Sequence, residues 1–313
     1  MKNQNTIYVI GAGAIGKALA VFLKMAGRQV ILLRGSVDDG TTETSKIRVE
    51  MENDVHEADI EITTLGAFKT LNGIVVLANK SYGNEHLAAA LKSKVGASPI
   101  VLLQNGLGVE KPFMIDDFPE VHRCVLFVTC QSINATMLRF RPVAICPIGI
   151  VKGNANTLQH IVRELTTQHF VFASEEHIQQ IIWKKAIVNS VFNSVCPLLE
   201  IDNGIFHRNA NALNIARRVI AECTLIAREK GILIYAEDVE ESLLKISRSS
   251  DGQLISTLQD ILKKRRTEID TLNFEIVRIA ESVHNVEAVT ETKLLGELTK
   301  LKADVAQDSG QAS

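Results

Sequence analysis

The sequence has no excess of charge of either sign. Against 36 Asp and Glu stand 34 Lys and Arg, a formal net charge of −2 over 313 residues. With no broad positive field to draw a polyanion, a nucleic-acid partner is not expected. Long apolar runs are missing too. Polar Met1–Thr6 lead into Ile7–Ile10, which stop at a glycine, too short for a signal-peptide core or a membrane span. A soluble, cytoplasmic protein without a membrane partner is expected. Cysteines are few and odd in number: Cys124, Cys130, Cys146, Cys196 and Cys223 form no C-x-x-C pair and have no histidine at zinc-ligand spacing. That argues against a disulfide framework and a metal site, and for buried free thiols in a reducing compartment. Internal repeats and long low-complexity segments are absent as well.

What is present is core-forming material. The chain is 46% hydrophobic and 22% charged, and its length suits two domains. In the first half, short β-branched runs alternate with helical stretches, the pattern of a mostly parallel sheet covered by helices. Thr6 to Ile10 reads as a strand, Lys17 to Met25 as a helix ended by Gly27, and Gln29 to Leu33 as a second strand. Ile47 to Met51 and Ala58 to Thr63 alternate at period two, as an inserted strand pair would. Gly73 to Asn79, Ile100 to Gln104 and Arg123 to Thr129 suit buried parallel strands. A further strand is expected within Pro142 to Ile150 and a helix over Ala155 to Thr167. From about Ser174 helical periodicity takes over, so the domains are placed at 1–173 and 174–313. The second offers helices over Glu175 to about Val195, Asn209 to Lys230 (ended by Gly231) and Ser256 to about Val283. Lys302 to Ser313 reads as a frayed polar tail. The fold class is α/β: a Rossmann-type doubly wound sheet followed by an all-helical domain.

Gly11-Ala12-Gly13-Ala14-Ile15-Gly16 follows the first strand and opens the first helix, the setting in which G-x-G-x-x-G binds a dinucleotide pyrophosphate. The first glycine permits the turn, the second lets the phosphates approach the backbone, and the third packs helix on sheet. Free N–H groups at the helix start would meet the phosphates. Arg34 ends the second strand, where NAD-binding sites usually carry an acid; its guanidinium favours a 2′-phosphate, and the Ser36 hydroxyl could join it. NADP(H) is therefore expected. The alternative is a solvated Arg34, with Asp38 or Asp39 serving the ribose of NAD.

In Trp183 to Asn193, the residues Lys185, Asn189 and Asn193 recur every four positions and share one helix face among Ile187, Val188, Val191 and Phe192. One cation beside two amides suits a small anion whose carbonyl must gain a proton on reduction, and a lysine general acid contributes roughly 100- to 10,000-fold. On spacing alone, Lys185 could equally snorkel to solvent and the asparagines could join helices. Ser256-Thr257-Leu258-Gln259 fits a capping box. Lys263 to Arg266 reads as the solvated face of an amphipathic helix, and Glu268 and Asp270 as surface acids.

Taken in order, GAGAIG, Arg34, Lys80 in LANKSY, LLQNGLG around Asn105, WKKAIVNSVFN, Asn203-Gly204 and STLQDILKKRRTEID resemble the ketopantoate reductase (ApbA/PanE) family over nearly the whole chain. The resemblance implies a Rossmann domain joined to a helical domain with the active site in the cleft between them. It implies reduction of 2-dehydropantoate to pantoate by NADPH, on the route to pantothenate and coenzyme A. Lys185 would be the catalytic acid, and Glu268 the acid near the lysine and the nicotinamide ribose. Asn189, Asn193, Asn203 and Ser256 would hold the substrate. Asn105 would meet substrate and cofactor, and Lys80 would lie beside the cofactor held by Gly11, Ala12, Gly13, Ala14, Ile15, Gly16 and Arg34. Family members often carry proline where this chain has Ser194, glycine where it has Phe274, and a His-x-Gly stretch near Arg139–Pro142. These departures leave open a different 2-oxo acid as substrate; a non-catalytic nucleotide sensor is the remaining alternative. A homodimer is one arrangement open to the chain.

Overall fold

A computed structural model describes residues 6–35, 38–52 and 54–308. The chain divides into two compact units, one running to Asn105 and resuming over Val109–Ile178, the other made of Gly106–Gly108 and the chain from Gln179 onward.

The first unit contains β1 (Thr6–Ile10), α1 (Ala14–Met25), β2 (Val30–Arg34), β3 (Glu43–Glu50), β4 (Val55–Thr64), β5 (Gly73–Leu77), α2 (Asn84–Lys92), β6 (Ile100–Leu102), α3 (Lys111–Ile115), β7 (Val121–Cys124), β8 (Val128–Ser132), β9 (Met137–Pro142), β10 (Cys146–Lys152), α4 (Ala155–Leu165) and β11 (Phe172–Ser174). These described strands join one sheet in the order β11-β10-β7-β6-β5-β1-β2-β4-β3-β9-β8. The central run from β4 to β7 is parallel, as the β-branched sequences require. Strand alternation divides the core. Ile7, Val9, Leu32, Ile74 and Val76 face the cluster that takes in Leu19, Val21 and Phe22 of α1 and Ile161 of α4. Tyr8, Ile10, Leu33, Val75 and Leu77 face the cluster of Ala88 and Leu91 of α2 and Phe113 of α3. Helices on both faces make the sheet doubly wound. Its order reverses between β1 and β5, the position at which such sheets bind ligands beyond their strand ends.

The inserted strand pair is present as β3 and β4, antiparallel, with alternating burial that gives way to burial on both faces where the end of β4 joins β2. The single strand expected over Arg123 to Thr129 is instead two. Val125 N–H still donates to Pro147 O of β10, but Pro147 has no N–H to return, and Phe127 N–H turns to Cys146 Sγ, so residues 125–127 fall out of the ladder before β8 pairs antiparallel with β9.

The second unit holds α5 (Ile178–Leu199), α6 (Ile205–Arg208), α7 (Ala210–Glu229), α8 (Ala236–Ser249), α9 (Ser256–Leu262), α10 (Asn273–Ser282) and α11 (Thr290–Asp308). Asn209 caps α7, its side-chain oxygen accepting from Asn211 and Ala212 N–H at 2.9 and 3.1 Å. The continuous helix expected from Ser256 to Val283 is broken. It ends at Leu262, Lys264 takes φ 55°, and a 3₁₀ turn over Ile269–Thr271 precedes α10. The basic run Lys263–Arg266 is thus an exposed loop and not a helix face. The tail also differs: Lys302–Asp308 continue α11, where Ala303 is buried and Lys302 pairs with Glu200 at 2.8 Å, while Ser309–Ser313 lie outside the described residues. No described helix is long and apolar enough to cross a membrane.

Candidate active site

In the first unit the cradle is made by missing side chains. Gly11 has φ 116°, and a β-carbon there would come within 2.5 Å of Asn79 N and 2.7 Å of Ala78 C. Only glycine lets the ends of β1 and β5 approach so closely. A β-carbon on Gly16 would strike Gly11 O, so the third glycine seats α1 against the turn. Gly13 differs, with nothing within 4 Å of its would-be β-carbon. It is the N-cap of α1, which has no side-chain cap and no acid in its first turn. Unfilled space in front of uncapped N–H groups suits a pyrophosphate. Ala12, Ala14 and Ile15 are partly buried in the same turn.

Around this cradle lies a buried polar network that sequence reading missed. Gln104, just past β6, donates to Asn79 O at 3.0 Å and exchanges hydrogen bonds with Asn84 at 2.7 and 2.8 Å. Asn84 also donates to Val109 O at 2.8 Å. Arg123 of β7, 1% exposed, pairs with Glu110 and reaches Gln104 O at 3.4 Å. Burying these groups is costly unless each is satisfied. The bonds hold both feet of the Asn105–Gly108 loop, Gln104 on one side and Val109 and Glu110 on the other. Asn105 itself is exposed, as is Lys80 beyond β5.

Arg34 does not project freely. Its guanidinium donates to the carbonyl and hydroxyl of Thr41 and to Glu43 at 3.3 Å, and lies 3.6 Å from Asp39. Of the two acids considered for a ribose, Asp38 accepts the Gly66 N–H at 2.7 Å. Asp39 is fixed by Thr41, whose hydroxyl and N–H hold its carboxyl below the usual carboxylate range. Ser36 lies outside the described residues.

In the second unit, Lys185 and Asn189 are half-buried on α5, and Asn193 is 3% exposed. Asn193 Nδ2 donates to Asn189 O at 2.9 Å. Its Oδ1 accepts from the Ser256 hydroxyl at 3.2 Å and Thr257 N–H at 3.3 Å. The capping box is therefore replaced. Ile255 is the N-cap of α9, Gln259 turns to Leu254 O, and Asn193, 63 residues earlier in the same chain, caps the helix instead. Asn203 is tied to the same segment: its N–H donates to Gln253 O at 2.9 Å, its Nδ2 to Ser250 at 3.2 Å, and its carbonyl accepts from Ser247 at 2.7 Å. Its Oδ1 is buried with no partner among the described residues, so it awaits a donor. Asp202 holds this turn by accepting from Gly204 N–H at 2.7 Å and Gly252 N–H at 3.2 Å, and the Arg208 hydrogen bond lowers its pKa to about 2.

Glu268, half-buried, accepts through its carbonyl from Thr271 N–H and Oγ1, each at 3.1 Å. Thr271 O in turn receives Leu107 N–H at 2.8 Å, and a β-carbon on Gly106 would lie 2.5 Å from that oxygen. The Gly106–Gly108 loop is thereby packed on the turn that follows Glu268.

The three departures are absorbed locally. Ser194 donates to Ser190 O at 2.6 Å inside α5. Phe274 lies against Gly296 of α11, 3.5 Å from where a β-carbon would be. Arg139 pairs with Glu50 at 3.0 Å on the β3–β9 edge. All five thiols are free. Burial pushes Cys130, Cys196 and Cys223 up to about 12, which removes them as nucleophiles near neutral pH. Among the described residues no three His, Cys, Asp or Glu are placed to hold a metal ion.

Family comparison accounts for both halves. The family model Ketopantoate reductase PanE/ApbA matches residues 7–140, and its C-terminal counterpart matches residues 177–302. The chain belongs to the ketopantoate reductase family. A 2-dehydropantoate 2-reductase of Pyrococcus horikoshii is 28% identical over 321 residues, covering 97% of this chain and 99% of the relative. Among solved structures, the dimeric ketopantoate reductase of Staphylococcus aureus superposes with a TM-score of 0.80 at 19% identity, covering 96% of this chain and 99% of the other. D-mandelate dehydrogenase with NADH and anilino(oxo)acetate gives 0.84 at 18% identity with the same coverage. At such identities the likeness is one of fold. The mixed α/β architecture expected from the alternation of elements is the family's.

Proposed function

We propose that this protein reduces 2-dehydropantoate to pantoate with NADPH, a step of pantothenate and coenzyme A biosynthesis, and that it works in the cytoplasm as a homodimer. Residues 1–173 bind the cofactor and residues 174–313 carry the substrate and the proton chemistry. The observation that carries this reading is the α5 face, where Lys185 and Asn189 stand in line with an Asn193 fixed to Ser256. It is supported by membership of the family, by the curated relative's activity and, for the dimer, by the S. aureus enzyme.

The glycine turn fits the cofactor because Gly13 leaves room in front of free N–H groups. Gly11, Ala12, Gly13, Ala14, Ile15 and Gly16 would hold its pyrophosphate, Arg34 its 2′-phosphate, and Lys80 and Asn105 its nicotinamide side. When bound, the cofactor supplies hydride to the ketone carbon. Lys185 gives its proton to the carbonyl oxygen, where negative charge grows during reduction, so its ammonium binds the transition state more tightly than the ground state. Asn193 and Ser256 hold each other and so present fixed dipoles to the substrate, with Asn189 beside them. The orphan Asn203 Oδ1 accepts the substrate's hydroxyl, replacing a costly vacancy with a hydrogen bond. Glu268 orients the lysine.

Steady-state rates with a panel of 2-oxo acids, each with NADPH and NADH, test the reading. The 2-dehydropantoate and NADPH pair is expected to give the highest kcat/KM. A much faster 2-oxo acid would replace the substrate while keeping the chemistry.

A further inference from the structure

The arginine expected to bind the 2′-phosphate already has an anion. Two of its nitrogens are engaged by its own chain: Nη1 donates to Glu43, and Nη2 donates to Thr41 O and Oγ1 with Asp39 3.6 Å away. Its Nε is buried without a partner among the described residues. The Arg34 side chain is 21% exposed, whereas Glu43 and Asp39 are 62% and 48% exposed at the rim. Asp38, the remaining acid here, is occupied by Gly66 N–H.

We propose that Glu43 and Asp39 stand in for the 2′-phosphate on Arg34 and so determine how strongly the protein discriminates NADPH from NADH. This rests on the cofactor part of the reading above. One guanidinium facing two carboxylates leaves a local charge of −1 for a phosphate to approach. To make its bidentate contact, the phosphate must displace Glu43 from Nη1. The exchange is feasible because an exposed ion pair is weak. NADH meets no such competition, since a ribose 2′-hydroxyl can donate to Asp39 or Glu43 where they stand. The two acids therefore weaken the phosphorylated cofactor and support the other, and the preference for NADPH is smaller than Arg34 alone would give.

The experiment measures dissociation constants at low salt for NADPH, NADH, adenosine 2′,5′-bisphosphate and 5′-ADP. It uses the wild type, Glu43→Gln, Asp39→Asn, and Glu43→Gln in an Arg34→Met background. Glu43→Gln is expected to tighten NADPH and the bisphosphate by about threefold, with NADH and 5′-ADP unchanged or weaker. Asp39→Asn should act in the same direction, and the Arg34→Met background should abolish the gain. An unmoved NADPH-to-NADH ratio, a shift towards NADH, or a gain that survives loss of Arg34 would overturn the proposal. If the wild type ignores the 2′-phosphate but Glu43→Gln acquires affinity for it, the proposal stands and the NADPH reading is corrected. If no variant responds to the 2′-phosphate, both fall.

Discussion

The two units build their candidate sites by opposite means. The first works by subtraction: Gly11 and Gly16 bring backbone against backbone, and Gly13 leaves a gap. The second works by assembly: Asn193 reaches Ser256 across 63 residues, and Asn203 is held by Ser247, Ser250 and Gln253. A pyrophosphate, the same in every dinucleotide, can be held by main-chain N–H groups from one short turn. A particular small acid needs side chains of chosen chemistry, and those come from distant segments. Lesions in the first unit should therefore act on cofactor affinity, and lesions in the second on turnover.

The sharpest break of that contrast is Lys185→Ala, expected to lower turnover by roughly 100- to 10,000-fold with NADPH affinity intact, as read by fluorescence titration beside steady-state rates. In the first unit, Arg123→Met leaves Glu110 without its buried partner and should cost about 3–5 kcal/mol in urea unfolding. The volume-matched Arg123→Met/Glu110→Met pair should recover most of that stability. If its kcat stays low once folded, the network positions the Asn105 loop; a wild-type kcat would reduce it to a folding role. Gly13→Val enters open space, so the melting temperature should hold while NADPH binding weakens by about tenfold or more. Equal loss of NADPH and 5′-ADP would confirm that the lesion lies at the pyrophosphate. The smallest effect is on pH. Asp202 has a depressed folded pKa, so its contribution to stability is complete above the ordinary value near 3.8 and fades as pH falls towards about 2. Arg208→Met removes the main cause of the depression and should flatten the acid limb of the stability curve in that window.

What could be read from sequence follows the same division. The glycine turn was legible because its cause is local: three glycines between a strand and a helix. So were the parallel strands, whose burial on both faces demands continuous apolar runs. The break after Leu262 was not, because Lys264 takes the left-handed conformation that a glycine would have announced. Nor was the interruption at residues 125–127, which depends on Pro147 and Cys146 of another strand. At the site, the spacing of Lys185, Asn189 and Asn193 gave the shared face. It could not show that Asn193 caps α9, and so Ser256 looked like a cap in its own right. Arg123 passed as one residue of a buried strand, and only Gln104 and Glu110 beside it reveal what the charge is for. Arg34 was placed correctly at a strand end, but its engagement by Thr41 and Glu43 depends on how the following turn folds back.

The most direct test pairs two measurements on the wild type and Lys185→Ala: the NADPH dissociation constant, and the single-turnover rate of NADPH oxidation by 2-dehydropantoate. The expected result is an unchanged dissociation constant with a rate at least about a hundredfold lower. An undiminished rate in the variant, or loss of NADPH binding together with the rate, would contradict the division of labour proposed for the two units.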